Sequence, residues 1–205
     1  MTRRVVRREG DRLVYQDETG LLDLPLPALI GAHQIQNAGI AIAALRALQM
    51  PEPAYDAAMT GAAWPARMQR LRTGPLVEAA QDCEIWLDGG HNPAAGQAIA
   101  RTLGSLPKRD THLVCGMLNT KDVTGFMQPL VQIAHSLTAI SIPDAPATLT
   151  ATETAENARK AGFTATEAPD AQSAVKPLAP EHPGCRILIC GSLYLAGHVL
   201  RINEA

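Results

Sequence analysis

Asp88-Gly89-Gly90-His91-Asn92-Pro93 directly follows the apolar run Ile85-Trp86-Leu87 and directly precedes an alanine-rich helical pattern over residues 94–106. A carboxylate, two flexible residues, an imidazole and an amide thus stand at a strand-to-helix corner. In an open α/β sheet, such corners at the carboxyl ends of strands are where ligands bind. Two further segments have the same form. Gly116-Met117-Leu118-Asn119-Thr120-Lys121-Asp122 joins an apolar run at 112–117 to a helical stretch from Val123, and Gly191-Ser192-Leu193-Tyr194 joins the run at 186–190 to a last helix at 193–202. If these runs are strands of one parallel sheet, their three loops converge on one crevice.

The rest of the chain supports that sheet. Helical patterns at 93–106, 123–134, 151–161, 171–178 and 193–202 alternate with strands at 84–87, 112–117, 136–142 and 186–190, which predicts a mostly parallel sheet covered on both faces. The strand runs are continuously apolar, as doubly covered strands are. Pro93 suits the first helical position, where its missing N–H costs nothing. Residues 76–87 read as a hairpin ending in the strand 84–87. Before Thr73-Gly74-Pro75 the character differs. Residues 3–8, 13–15 and 21–24 read as a β-meander, followed by an amphipathic helix within 31–50 and a second helix at 54–61. The expected division is therefore 1–72 and 73–205. Three short strands and two helices can hardly bury a full core, so the first part reads as the tail of another unit.

Composition narrows the function. Apolar residues are 46% of the 205, enough for a real core, while aromatics are only 3%, so aliphatic side chains must fill it. The net charge of -2, from 18 basic and 20 acidic residues, lacks the basic footprint of bulk nucleic-acid binding. Arg3, Arg4, Arg7 and Arg8 are answered by Glu9, Asp11, Asp17 and Glu18, and read as a solvated strand face. The cysteines at 83, 115, 185 and 190 form no Cys-x-x-Cys pair, which excludes zinc-ribbon and thioredoxin-like readings. With no signal-peptide pattern and no apolar run near the roughly 18 residues that cross a bilayer, a reduced, cytoplasmic protein is expected, without a membrane partner.

Six residues carry candidate chemistry. Asp88 can hold a ribose hydroxyl pair, or it or Asn92 can cap the following helix. His91, near a helix N-terminus, can meet a phosphate. Ser192 can cap the last helix or bond a carboxylate. Lys121 can pair with an anionic substrate or be a solvated lysine. Arg67, in Trp64-Pro65-Ala66-Arg67, can grip a phosphate bidentately or form a salt bridge between units. Asn37, in His33-Gln34-Ile35-Gln36-Asn37-Ala38, offers an amide that donates and accepts at once, as an adenine edge requires. No cluster of metal ligands at helical spacing and no Gly-x-x-x-x-Gly-Lys-Ser/Thr loop is present, so the chain alone has nothing to cradle a triphosphate.

Taken in order, these segments resemble the C-terminal part of folylpolyglutamate synthase/dihydrofolate synthase, in the Mur ligase superfamily. The resemblance runs from His33-Gln34 to Gly191-Ser192-Leu193-Tyr194-Leu195-Ala196-Gly197, with one departure, Ala66, where the family commonly has glycine. It implies a Rossmann-like Mur ligase C-terminal domain preceded by the last strands and helices of the central ATPase domain. It also implies ATP-dependent ligation of L-glutamate to dihydropteroate or a folate through an acyl phosphate. Carried over, Asn37 would meet the adenine, Arg67 phosphate or ribose, Asp88 the ribose and His91 the phosphates. Lys121 and Ser192 would hold the incoming amino acid. The Walker loop and the Mg²⁺ ligands would belong to an N-terminal ATPase domain, so this polypeptide alone is expected to be inactive. Another Mur-type ligase, acting on a cell-wall precursor, and a non-catalytic nucleotide-binding module are the competing expectations.

Overall fold

In the computed structural model, which describes residues 4–204, the apolar runs become the buried strands and the chain divides between Pro65 and Ala66 into two units. The first unit opens with an antiparallel meander, β1 (Val5–Glu9), β2 (Arg12–Asp17) and β3 (Gly20–Pro25). Two helices follow, α1 (Ala32–Ala47) and α2 (Glu52–Thr60). Alternation along β2 points Leu13 and Tyr15 into a small core with Leu24, Ala38, Ile42, Tyr55 and Met59. Gly39 lets α1 lie close on β1: a Cβ there would stand 2.8 Å from Val6 Cγ1. The buried Asp17 carboxylate accepts from the Thr19 amide at 2.9 Å and pairs with Arg46. Burial alone would raise its pKa, but the Thr19 and Tyr15 hydrogen bonds and the Arg46 charge hold it below the usual carboxylate value. Arg4, Arg7 and Arg8 are exposed, Arg7 and Arg8 on β1 and Arg4 just before it, with Arg7 paired to Glu9 and Arg4 to Glu18. Arg3 lies outside the described residues.

The second unit is a six-stranded sheet in the order β4-β5-β9-β6-β7-β8. Its strands are β4 (Gln69–Leu71), β5 (Glu84–Leu87), β6 (Thr111–Cys115), β7 (Ser136–Ala139), β8 (Ala165–Glu167) and β9 (Arg186–Cys190). All pairings are parallel except β4 with β5. Side chains alternate between two cores. Ile85, Leu87, Val114, Ile187 and Ile189 pack with α3 (Pro75–Ala80), α7 (Ala171–Val175), α8 (Leu178–Glu181) and α9 (Leu193–Glu204). Trp86, Leu113, Cys115, Leu137, Leu188 and Cys190 pack on the other face with α4 (Pro93–Ser105), α5 (Val123–Met127) and α6 (Ala151–Ala161). The expected mostly parallel sheet flanked by helices is thus the observed fold.

Four expectations are corrected. The boundary falls seven residues before the expected 72/73, because β4 zips antiparallel onto β5 and Gly89 N–H donates to Ala66 O at 2.9 Å. The hairpin over 76–87 is the helix α3 followed by β5: Pro75 starts the helix, and β5 finds its antiparallel partner in β4. The helix over 123–134 stops at Met127 and tightens into a 3-10 turn over Gln128–Leu130, where Pro129 supplies no N–H. The helix over 171–178 divides into α7 and α8 around Pro177. The short edge strand β8 was not anticipated from sequence.

Candidate functional site

Strand order places the three loops side by side. β9 lies between β5 and β6, so the corners after Leu87, Cys190 and Cys115 emerge from three neighbouring strand ends. Backbone hydrogen bonds stitch them together. Gly191 N–H donates to Gly90 O at 3.1 Å, and Gly116 N–H to Cys190 O at 3.3 Å. Gly191 has φ 109°, and a Cβ there would lie 2.6 Å from Gly116 O, so only glycine fits. Directly behind it, the Cys190 thiol is pushed up in pKa by its hydrogen bond with Cys115 and by burial, which keeps it an inert packing group.

The loops enclose a cavity of about 210 Å³. His91 comes from the first loop, Leu118 and Lys121 from the loop after β6, and Gly191, Ser192, Leu193 and Tyr194 from the loop after β9. His91 Nδ1 donates to Gly89 O at 2.9 Å, which fixes the ring and leaves Nε2 for a ligand. Ser192 is buried and its Oγ accepts from Tyr194 N–H at 3.1 Å, capping α9 while its own proton stays available to donate. Lys121 is exposed, Leu193 half exposed and Tyr194 more so. An imidazole, an ammonium, a hydroxyl and the amino end of a twelve-residue helix around one space suit an anion.

Asp88 sits beside this cavity, buried at 6% exposure. Its Oδ2 accepts from Met68 N–H at 2.8 Å and its Oδ1 from Gly90 N–H at 2.7 Å. Asn92 is the residue that caps α4, accepting from Ala95 N–H at 2.9 Å. Asp88 therefore pins the first loop to the segment carrying Arg67. Gly89 completes the junction: a Cβ there would meet Leu193 Cδ2 at 2.3 Å and Arg67 Nη1 at 3.3 Å. Arg67, Asp88, His91, Lys121 and Ser192 are thus gathered in one neighbourhood of the second unit. Asn37 belongs to the first unit, on the first turns of α1, and its Nδ2 donates to Gln34 Oε1 at 2.9 Å.

Sequence reasoning missed the brace behind Lys121. Leu118 bridges to Thr148, Asn119 N–H donates to Ala147 O at 2.9 Å, and Leu149 N–H to Met117 O at 2.9 Å. Thr148 Oγ1 also accepts from Ile142 N–H at 2.9 Å. Nothing in the proline-rich stretch 143–149 signals this pairing, since the bonds that join it to the loop after β6 run from backbone to backbone. Among the described residues, no group of three or more His, Cys, Asp or Glu could hold a metal ion. No helix among them is long and apolar enough to cross a membrane.

Fold and site together define an α/β domain with a polar cavity at the carboxyl ends of adjacent parallel strands. The model of the Mur ligase glutamate ligase domain matches residues 66–193, and the chain belongs to that family. Its relatives include the folylpolyglutamate synthase of Lacticaseibacillus casei, 28% identical over 93% of this chain and 43% of that protein. The dihydrofolate synthase/folylpolyglutamate synthase of Escherichia coli is 29% identical over 93% of this chain and 42% of its own length. Among solved structures, E. coli FolC in complex with DHPP and ADP superposes with a TM-score of 0.80 at 26% identity, covering 96% of this chain and 45% of that one. The chain thus spans less than half the length of these curated relatives.

Proposed function

We propose that the chain is the carboxyl-terminal portion of an ATP-dependent ligase that joins L-glutamate to dihydropteroate or a folate. In this reading ATP phosphorylates the substrate carboxylate, the glutamate amine attacks the acyl phosphate, and the amide, ADP and phosphate result. Catalysis of that kind is mostly positioning and charge neutralisation. The observation that carries the reading is the cavity where His91, Lys121 and Ser192, from three separate strand ends, face one space. The folate-ligase names of the relatives and the ADP in the FolC complex support it.

The residues divide by role. His91, its ring held by Gly89 O, meets the phosphates. Arg67 meets phosphate or ribose. Asp88, which also holds the Met68 and Gly90 amides, meets the ribose hydroxyls. Lys121 and Ser192 hold the carboxylates of the amino acid, and Asn37 reads the adenine. Residues 1–65 are the last strands and helices of an ATPase domain that supplies the triphosphate grip and the Mg²⁺ ligands. Bound Mg²⁺ would neutralise charge on the phosphates. The complete ligase works in the cytoplasm.

The test is ADP release with ATP and L-glutamate, comparing dihydropteroate and folate with muramyl acceptors. The complete ligase should turn over with a pteridine acceptor and ignore the muramyl ones, and the 205-residue chain alone should release no ADP. Acceptor-dependent release by this chain alone, or preference for a muramyl acceptor, would overturn the assignment.

A further inference from the structure

At the amino end of α1, three side chains form a hydrogen-bonded relay. Asn37 Nδ2 donates to Gln34 Oε1 at 2.9 Å, and Gln34 Nε2 stands 3.1 Å from His33 Nε2. Gln34 is buried at 5% exposure, whereas Asn37 is exposed. An exposed amide alone is free to turn over, exchanging its donor and acceptor ends. Here it is not: in the Nδ1–H tautomer of His33, Nε2 accepts from Gln34 Nε2, so Gln34 Oε1 faces Asn37 and takes one of its two amide protons. Asn37 is left presenting a carbonyl acceptor and one N–H.

We propose that Gln34 is a positioning residue that sets nucleotide-base specificity by fixing the orientation of the Asn37 amide. The inference rests on the reading above, in which Asn37 meets the base. An acceptor beside a donor matches adenine, which offers its 6-amino group next to a ring nitrogen, in the bidentate pairing asparagine makes. A 6-oxo purine places an acceptor against the Asn37 carbonyl instead, and is rejected. If the amide could turn over, Nδ2 would face the 6-oxo group and the rejection would weaken.

The experiment compares kcat/KM for ATP and ITP in the complete ligase, for the wild type and for Gln34→Met, Gln34→Glu and Asn37→Ala. Methionine fills the space without an acceptor. Glutamate keeps an acceptor facing Asn37. Gln34→Met should lower the ATP-over-ITP preference by about tenfold, the worth of one well-placed hydrogen bond, and should act on KM more than on kcat. Gln34→Glu should retain the preference, which separates amide orientation from a merely structural role. If Gln34→Met fails to fold, judged by circular dichroism, Gln34→Ala carries the same test. An unchanged preference in the Gln34 variants, with a loss in Asn37→Ala, would overturn the proposal and leave Asn37 at the base. An unchanged preference in Asn37→Ala as well would remove Asn37 from the base and the role of Gln34 with it.

Discussion

Asp88 shows what a single residue does at this site. Its position in the sequence marks it as special, but its partners are not legible there. Met68 lies twenty residues earlier, and its amide arrives only because β4 returns antiparallel to β5. Asp88→Ala leaves the Met68 and Gly90 amides buried without an acceptor, which should cost about 2–3 kcal/mol in urea unfolding. Asp88→Asn keeps one acceptor and should cost about half of that. In the complete ligase, Asp88→Asn should raise KM for ATP more than KM for L-glutamate, because the Arg67 segment is tied to this carboxylate; the opposite split would take Asp88 away from the nucleotide. The same segment gives the Ala66 departure a physical meaning. Ala66 has φ 54° and Met68 φ 43°, both in the left-handed region that glycine enters without penalty. The glycine common in the family suits that backbone, and this chain keeps the conformation with a Cβ.

At the scale of elements, legibility follows local signals. α6 begins and ends where the sequence places it because both of its ends are written in side chains. Thr150 and Glu153 form a reciprocal capping box, and Gly162, at φ 113°, closes the last turn. Thr150→Ala should therefore cost about 1 kcal/mol in a thermal or denaturant melt, and Gly162→Ala a similar amount through its strained φ. A melt unchanged by Thr150→Ala would mean that tertiary packing alone sets where α6 begins. The stretch 76–87 was misread because a short apolar run fits helix and strand alike, and only the tertiary partner decides between them. α5 and the split between α7 and α8 were overextended because helical apolar spacing continues through Pro129 and Pro177 while the backbone donors do not. The site loops were legible for a different reason. Each lies where a continuously apolar strand gives way to a polar corner, and the parallel topology brings such corners together.

Across the whole second unit, the two ends of the sheet carry opposite chemistry. The carboxyl ends hold the polar cavity, while at the amino ends Glu84 gathers Arg70, Arg109 and Arg186, and the imidazole of His112 lies buried among other rings. None of this was foreseen from sequence, because the charges lie far apart along the chain and meet only through strand order. His112 has 1% exposure, Nδ1 is 2.8 Å from Ser136 Oγ, and the His182 and His135 rings stand 4.1 Å and 5.9 Å away. Burial first, then the charges of His182 and His135, lower its pKa from 6.5 to about 4, against a smaller upward pull from Asp110. Between those two pH values the unfolded chain binds a proton that the folded one refuses. The stability that neutral His112 contributes is complete above about 6.5 and is lost as the pH falls toward 4. At about 1.4 kcal/mol per pH unit, the loss is about 3 kcal/mol. Urea unfolding of the chain at pH 7 and pH 4.5 should show it, and His112→Phe, which has no proton to bind, should flatten the slope by about one proton. A slope unchanged by that substitution would place the acid sensitivity of this window elsewhere than His112, and elsewhere than the carboxylates of Glu84 and Asp17. Both of those carboxylates are held below their usual range, so their contributions fade only at lower pH, and the two windows can be separated in one titration.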